Sequence, residues 1–124
     1  MARIVHFEVP ADNPERAQKF YAQALGWEFT KFGGDGPVPY WFVKTGATGS
    51  PGIDGGLLQR GAPGQGPMVI AGVASIDQSI EQVRKAGGTQ VVQKMPIPGV
   101  GYAAYFLDTE GNCFGIFQDD ADAK

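Results

Sequence analysis

A lone histidine is the side chain best suited to proton chemistry near neutral pH, and this 124-residue chain has one, His6. Glu8 follows two positions later. In an extended strand that spacing puts both side chains on one face. A carboxylate there can orient an imidazole or share its proton, as a general base requires. The same pair also suits a half-buried histidine and a strand-end carboxylate in water, with no chemistry attached. Aromatic residues are the second resource. Phe29, Tyr40, Trp41, Tyr102, Tyr105 and Phe117 give more ring surface than two short helices need. Alternation turns about half of such rings toward an uncovered sheet face, where they can stack a flat or apolar ligand. Phe29, Trp41, Tyr102 and Phe117 are the candidate ligand walls, whereas Phe20, Phe106 and Phe114 suit the core. Gly55, Gly56 and Gly115 leave room for a ligand unless neighbours such as Trp41 fill it. Asp108, Glu110 and Asn112 have the composition of a turn. Cys113 suits a small buried position, and no glycine-rich stretch has the spacing of a phosphate loop.

These residues need elements to position them, and the chain supplies the same series twice. Val9 and Asn13 match Val73 and Asp77, and Trp41-Phe42-Val43 with Thr45 matches Tyr105-Phe106-Leu107 with Thr109, at one common spacing. Ile4 to Val9 alternates as a strand, with Val5, Phe7 and Val9 under a helix and Ile4, His6 and Glu8 on the other face. Asn13 or Asp12 caps a helix that Pro14 opens and Gly26 closes, and Ala17, Phe20, Tyr21, Ala24 and Leu25 form its apolar stripe. Strands follow at 27–32, 40–44 and 53–59, with a turn at 33–37. The second copy runs from a strand at 68–73 through a helix capped by Asp77, with Ile76, Ile80 and Val83 on one face and Gly87-Gly88 at its end. Strands at 90–94, 102–107 and 113–118 complete it. The intervening 96–101 reads as an irregular loop able to close over a ligand, and 119–124 as a frayed tail. The expected fold is α+β: two βαβββ modules forming a curved eight-stranded half-barrel with its helices outside. The chain is then one domain of two repeats, 1–60 and 68–124, joined by a linker at 61–67. The seam between repeats is a natural place for a pocket.

Composition narrows the function classes. A net charge of −3 with scattered Lys and Arg gives no basic face for nucleic acid or an anionic membrane. The hydrophobic content of 43% is that of an ordinary globular chain, without a run long enough to span a bilayer. One cysteine excludes an intrachain disulfide, and with no signal-peptide pattern a cytoplasmic protein is expected.

The series of elements, with HFEVPADNPERA at 6–17, Phe20-Tyr21, Ala86-Gly87-Gly88 and Asp108-x-Glu110-Gly111-Asn112, resembles the vicinal oxygen chelate superfamily. Glyoxalases, bleomycin-resistance proteins and extradiol dioxygenases belong to it. PIPGVG at 96–101 and GNCFGI at 111–116 are similar to its glyoxalase-like subgroup. The resemblance implies a cleft holding a divalent metal on four ligands, one each from the first and fourth strands of each module. Carried over by position, His6 is a metal ligand, but the others fall on Ala71 and Gly115 and, on the fourth strand, near Gly55 and Gly56, with Asp54 and Gln59 as the polar residues nearby. The expected function is therefore binding of a small organic molecule, with His6 and Glu8 as the polar pair and possible catalysis without the full metal site. The alternatives are a metal-dependent lyase or dioxygenase, and a non-catalytic sequestering protein of the resistance type. A homodimer is expected, since twofold assemblies are the commonest.

Overall fold

The computed structural model describes residues 1–33, 39–62 and 64–124. These form two compact units, His6–Pro67 and Met68–Lys124, the latter including Met1–Val5. Ten elements follow in order: β1 (Ile4–Ala11), α1 (Pro14–Leu25), β2 (Glu28–Lys31), β3 (Tyr40–Lys44), β4 (Gly55–Gln59), β5 (Met68–Gly72), α2 (Ile76–Lys85), β6 (Thr89–Ile97), β7 (Gly101–Leu107) and β8 (Cys113–Asp119). The α+β fold with two βαβββ modules is the one expected. The expected turn at 33–37 lies, beyond Gly33, outside the described residues.

In the first unit the strands lie in the order β2-β3-β4-β1. β4 is parallel to β1, and β3 is antiparallel to both β4 and β2. Asn13 caps α1, its side chain accepting from the Arg16 amide at 3.1 Å, and Gly26 ends the helix at φ 74°. A side chain at that φ is strained, which is why glycine stands there. The core is Ala11, Val43 and Leu57, with Phe7, Ala17, Tyr21, Trp27, Phe29 and Trp41 packed against it. The apolar stripe of α1 is narrower than its sequence suggests. Ala17 and Tyr21 face the core, while Phe20 (61% exposed) and Leu25 (57%) point to solvent. Phe20 is thus not a core residue.

The second unit repeats the plan as β5-β8-β7-β6, with β8 parallel to β5 and antiparallel to β7, and β6 antiparallel to β7. Ile76, Ile80, Ala104, Phe106 and Ile116 form its core. The helix cap is Ser75, whose hydroxyl accepts from the Gln78 amide at 3.3 Å. Asp77 sits instead in the first turn, where a carboxylate suits the helix dipole, and it pairs with Lys94 at 3.2 Å. The expected loop at 96–101 is mostly strand. β6 runs on through Pro96 and Ile97, which pair with Tyr102 and Gly101, so only a tight turn at 98–100 remains and no lid is formed. Proline is tolerated because β6 ends its strand order and its missing donor breaks no inner ladder. The tail is not frayed. Ala123 is buried, its carbonyl accepts from the Gly99 amide at 2.9 Å, and the Asp120 amide donates to the Val100 carbonyl at 2.9 Å. Asp108 closes the β7–β8 turn by accepting from the Glu110 and Asn112 amides.

Candidate functional site

Strand alternation fixes which side chains meet in the first unit. Phe7 and Ala11 of β1 face α1, so His6 and Glu8 face the other way. On β3, Trp41 and Val43 are in the helix-side core, and Tyr40, Phe42 and Lys44 stand on the face opposite. His6 and Tyr40 meet there: His6 Nε2 lies 2.8 Å from the Tyr40 hydroxyl. Gly56 of β4 makes this possible, because a Cβ on it would fall 1.8 Å from Tyr40 Oη. The rings of Phe32 and Phe42 stand edge-on to Tyr40, at 6.4 and 5.9 Å between centroids, and 4.9 Å from each other.

A cavity of about 420 Å³ opens beside this cluster, within the usual range for small-molecule sites. Its lining includes His6, Thr30, Phe42, Lys44, Thr48 and Asp54. Asp54 is held in place by the Thr45 amide at 2.9 Å and the Thr45 hydroxyl at 3.2 Å. Glu8, next to His6 on the same face, is only 4% exposed. Burial lowers the His6 pKa below its ordinary value, because desolvation disfavours the imidazolium. The negative charges of Glu8 and Asp54 oppose that shift without cancelling it. At neutral pH the imidazole is therefore an uncharged base. A second cavity, of about 610 Å³, lies by Asp12 and Arg60, but these two are already joined in an ion pair at 2.8 Å.

The aromatic walls expected from sequence fall differently. Phe29 and Trp41 pack on the helix side against the first unit's core, with Lys31 Nζ 5.9 Å from the Trp41 ring. Tyr102 packs on the helix side of the second unit, with Lys94 Nζ 4.6 Å from its ring. Three of the four candidate walls are thus core residues. Phe117 does face away from α2, where it covers Gly101 of its own unit. The rings on the His6 face are Phe32, Tyr40 and Phe42. The glycines do not leave empty space either. Phe7 covers Gly55, Tyr40 covers Gly56, and Tyr105 with Ile70 covers Gly115.

The residues do not fit the four-ligand metal set implied by the resemblance. His6 is engaged with Tyr40, and Gly56 has no donor atom. In the second unit, Ile70 pairs with Gly115 and lies on its face of the sheet, whereas Ala71 lies on the reverse one. None of these offers a hard donor. Asp54 accepts from the Thr45 amide on Oδ1, and the Gln59 amide donates to the Asp12 carbonyl at 3.0 Å, at the far end of β4. Among the described residues no group of three or more His, Cys, Asp or Glu could hold a metal ion.

Comparison with known proteins follows the same lines. The family model described as bleomycin resistance protein-like N-terminal matches residues 3–34. A glyoxylase-like domain-containing protein of Didymella fabae is 33% identical over 118 residues, covering 92% of this chain and 91% of that protein. Among solved structures, a variant of Streptomyces coelicolor methylmalonyl-CoA epimerase in complex with 2-nitronate-propionyl-CoA superimposes with a TM-score of 0.72 at 17% identity, covering 100% of this chain and 99% of the other. The Mycobacterium tuberculosis methylmalonyl-CoA epimerase gives 0.71 at 13% identity, covering 94% and 87%. A hypothetical protein from Bacillus halodurans C-125 gives 0.70 at 19%, covering 99% and 98%. At these identities the structures show a shared fold.

Proposed function

Because the chain belongs to the vicinal oxygen chelate superfamily as a glyoxalase-like member, we propose that it binds a small organic molecule in the His6 cavity and acts on it by proton transfer without the family's full metal site. The observation that carries this reading is a half-buried imidazole, hydrogen-bonded to a phenol, at the wall of a cavity of ligand size. Such an imidazole can take a proton from a carbon or oxygen acid. Glu8, buried beside it, favours the imidazolium that would result. Lys44 and the hydroxyls of Thr30 and Thr48 can orient the ligand's oxygens, and Phe42 can cover its apolar part. Structural neighbours are described in complex with CoA esters or their analogues, so an oxygen-bearing acyl compound is the first class to try.

The test is a ligand screen followed by nuclear magnetic resonance of the single histidine. The expected result is a compound that shifts the His6 ring signals, with turnover lost in His6→Ala. Binding that survives both His6→Ala and Glu8→Ala with no turnover would favour sequestration, the reading that the match to bleomycin resistance protein-like sequences supports. Stoichiometric metal on the purified protein, lost in His6→Ala, would favour the metal-dependent lyase or dioxygenase. The proposal includes a cytoplasmic homodimer, for which sedimentation should give twice the chain mass of 13.2 kDa. Among the described residues no helix is long and apolar enough to cross a membrane.

A further inference from the structure

We infer that Tyr40 is a built-in positioning residue whose phenol, seated on Gly56, takes the place beside His6 that a fourth-strand ligand side chain and its ion would need. This depends on the functional reading above only for the location of the site. The first observation is steric. A Cβ on Gly56 would meet Tyr40 Oη at 1.8 Å, Cζ at 2.2 Å and Cε1 at 2.8 Å. The phenol therefore lies directly on the β4 backbone, and any larger residue at 56 would have to displace it. The second is chemical. At 2.8 Å from Tyr40 Oη, His6 Nε2 either accepts the phenolic proton or donates its own. In both cases a metal on Nε2 would first have to displace the phenol. The third is rigidity. Tyr40 pairs with Leu58 in the β3–β4 ladder, its carbonyl accepts from the Phe32 amide at 2.9 Å, and its ring is flanked by Phe32 and Phe42.

The consequence is a division of labour around one imidazole. Tyr40 engages Nε2 in either tautomer of neutral His6, because a hydroxyl both donates and accepts, and Nδ1 is the ring nitrogen a ligand would meet. The ligand class that fits is one recognised through single hydrogen bonds to an uncharged imidazole, such as a molecule with one carbonyl or hydroxyl near its acidic proton. A pair of adjacent oxygens that depends on a shared ion is not the match.

The test uses the whole chain labelled with nitrogen-15 histidine, in which every ring signal belongs to His6. In the wild type the Nε2 signal should show a hydrogen-bonded nitrogen, and excess zinc chloride should leave it unmoved. In Tyr40→Phe, which keeps the ring and loses the hydroxyl, the Nε2 signal should move, and zinc should now shift or broaden it. The inference is overturned if zinc shifts the wild-type Nε2 signal stoichiometrically, if that signal shows no hydrogen bond, or if Tyr40→Phe changes neither readout. Both wild-type measurements still decide the matter should that variant fail to fold. A screen that finds no ligand would defeat the functional reading and leave these readouts standing.

Discussion

A ring lying on a glycine makes that glycine a specific requirement, and Gly56 is the position where this matters most. In Gly56→Ala the new methyl cannot share space with Tyr40 Oη. The phenol must swing away, breaking its bond to His6, or the strands must part. Overpacking of this kind costs about 1–3 kcal/mol, so a urea midpoint well below wild type is expected, together with a shift of the His6 Nε2 signal. An unchanged midpoint and spectrum would show that Tyr40 does not rest on that backbone. The sequence pointed to His6 and Glu8 as neighbours on one face, and to Gly56 as a place where a ligand or a neighbouring side chain finds room. It did not reveal what approaches. Tyr40, Trp41 and Phe42 are consecutive, so alternation leaves two choices of which rings face His6, and residue size favoured the wrong one. Val43, an apolar residue two positions after Trp41, was the available signal that the odd-numbered positions face the core. The common repeat spacing misled in the same way. It equates Trp41 with Tyr105, yet Trp41 faces its helix while Tyr105 faces away from its own, over Gly115. A one-residue slip in a strand exchanges its faces.

Helix boundaries were legible where side chains compete for orphan amides, and ambiguous where several candidates stand together. Asn13 and Gly26 bracket α1 as their chemistry requires. Asn13→Ala should remove the cap to Arg16 and cost about 1 kcal/mol, read as a lower urea midpoint with the helix signal retained. At α2 both Ser75 and Asp77 are cap-forming residues, and the repeat spacing favoured the second. Ser75 is the cap, its hydroxyl accepting from the Gln78 amide, and Ile76, the first residue of the helix, is wholly buried. Element packing separates the two helices further. Phe106, fully buried beneath α2, should cost about 3–5 kcal/mol when cut to alanine, whereas Phe20, exposed on α1, should cost less than about 0.5 kcal/mol. Equal losses in chemical denaturation would mean that Phe20 is covered in solution, as a dimer through α1 would make it. The strand through Pro96 was hidden by its composition, since Pro-Ile-Pro-Gly reads as a loop unless the strand is known to be an edge.

Among the described residues, His6 and Asp108 have folded states that resist protonation, for different reasons. His6 lies in the first unit, and its pKa is held below the ordinary 6.5 mainly by burial. Asp108 lies in the second, and its pKa is held below 3.8 chiefly by the backbone amides of Asn112 and then Glu110. For each, the unfolded chain takes up its proton first as pH falls, so acid favours unfolding. The His6 contribution to stability is complete above 6.5, declines as pH drops toward the folded value, and levels off below it. The Asp108 contribution is complete above 3.8 and is lost as pH falls through its own lowered value. Stability measured by urea midpoint against pH should therefore descend in two separate windows. His6→Gln cannot gain the imidazole's proton, so it should flatten the upper window and leave the lower one alone. Asp108→Asn should do the reverse. A wild-type curve that stays level as pH falls below 6.5, or that His6→Gln leaves unaltered, would show that the imidazole titrates as freely as it does in water and that burial does not hold its pKa down.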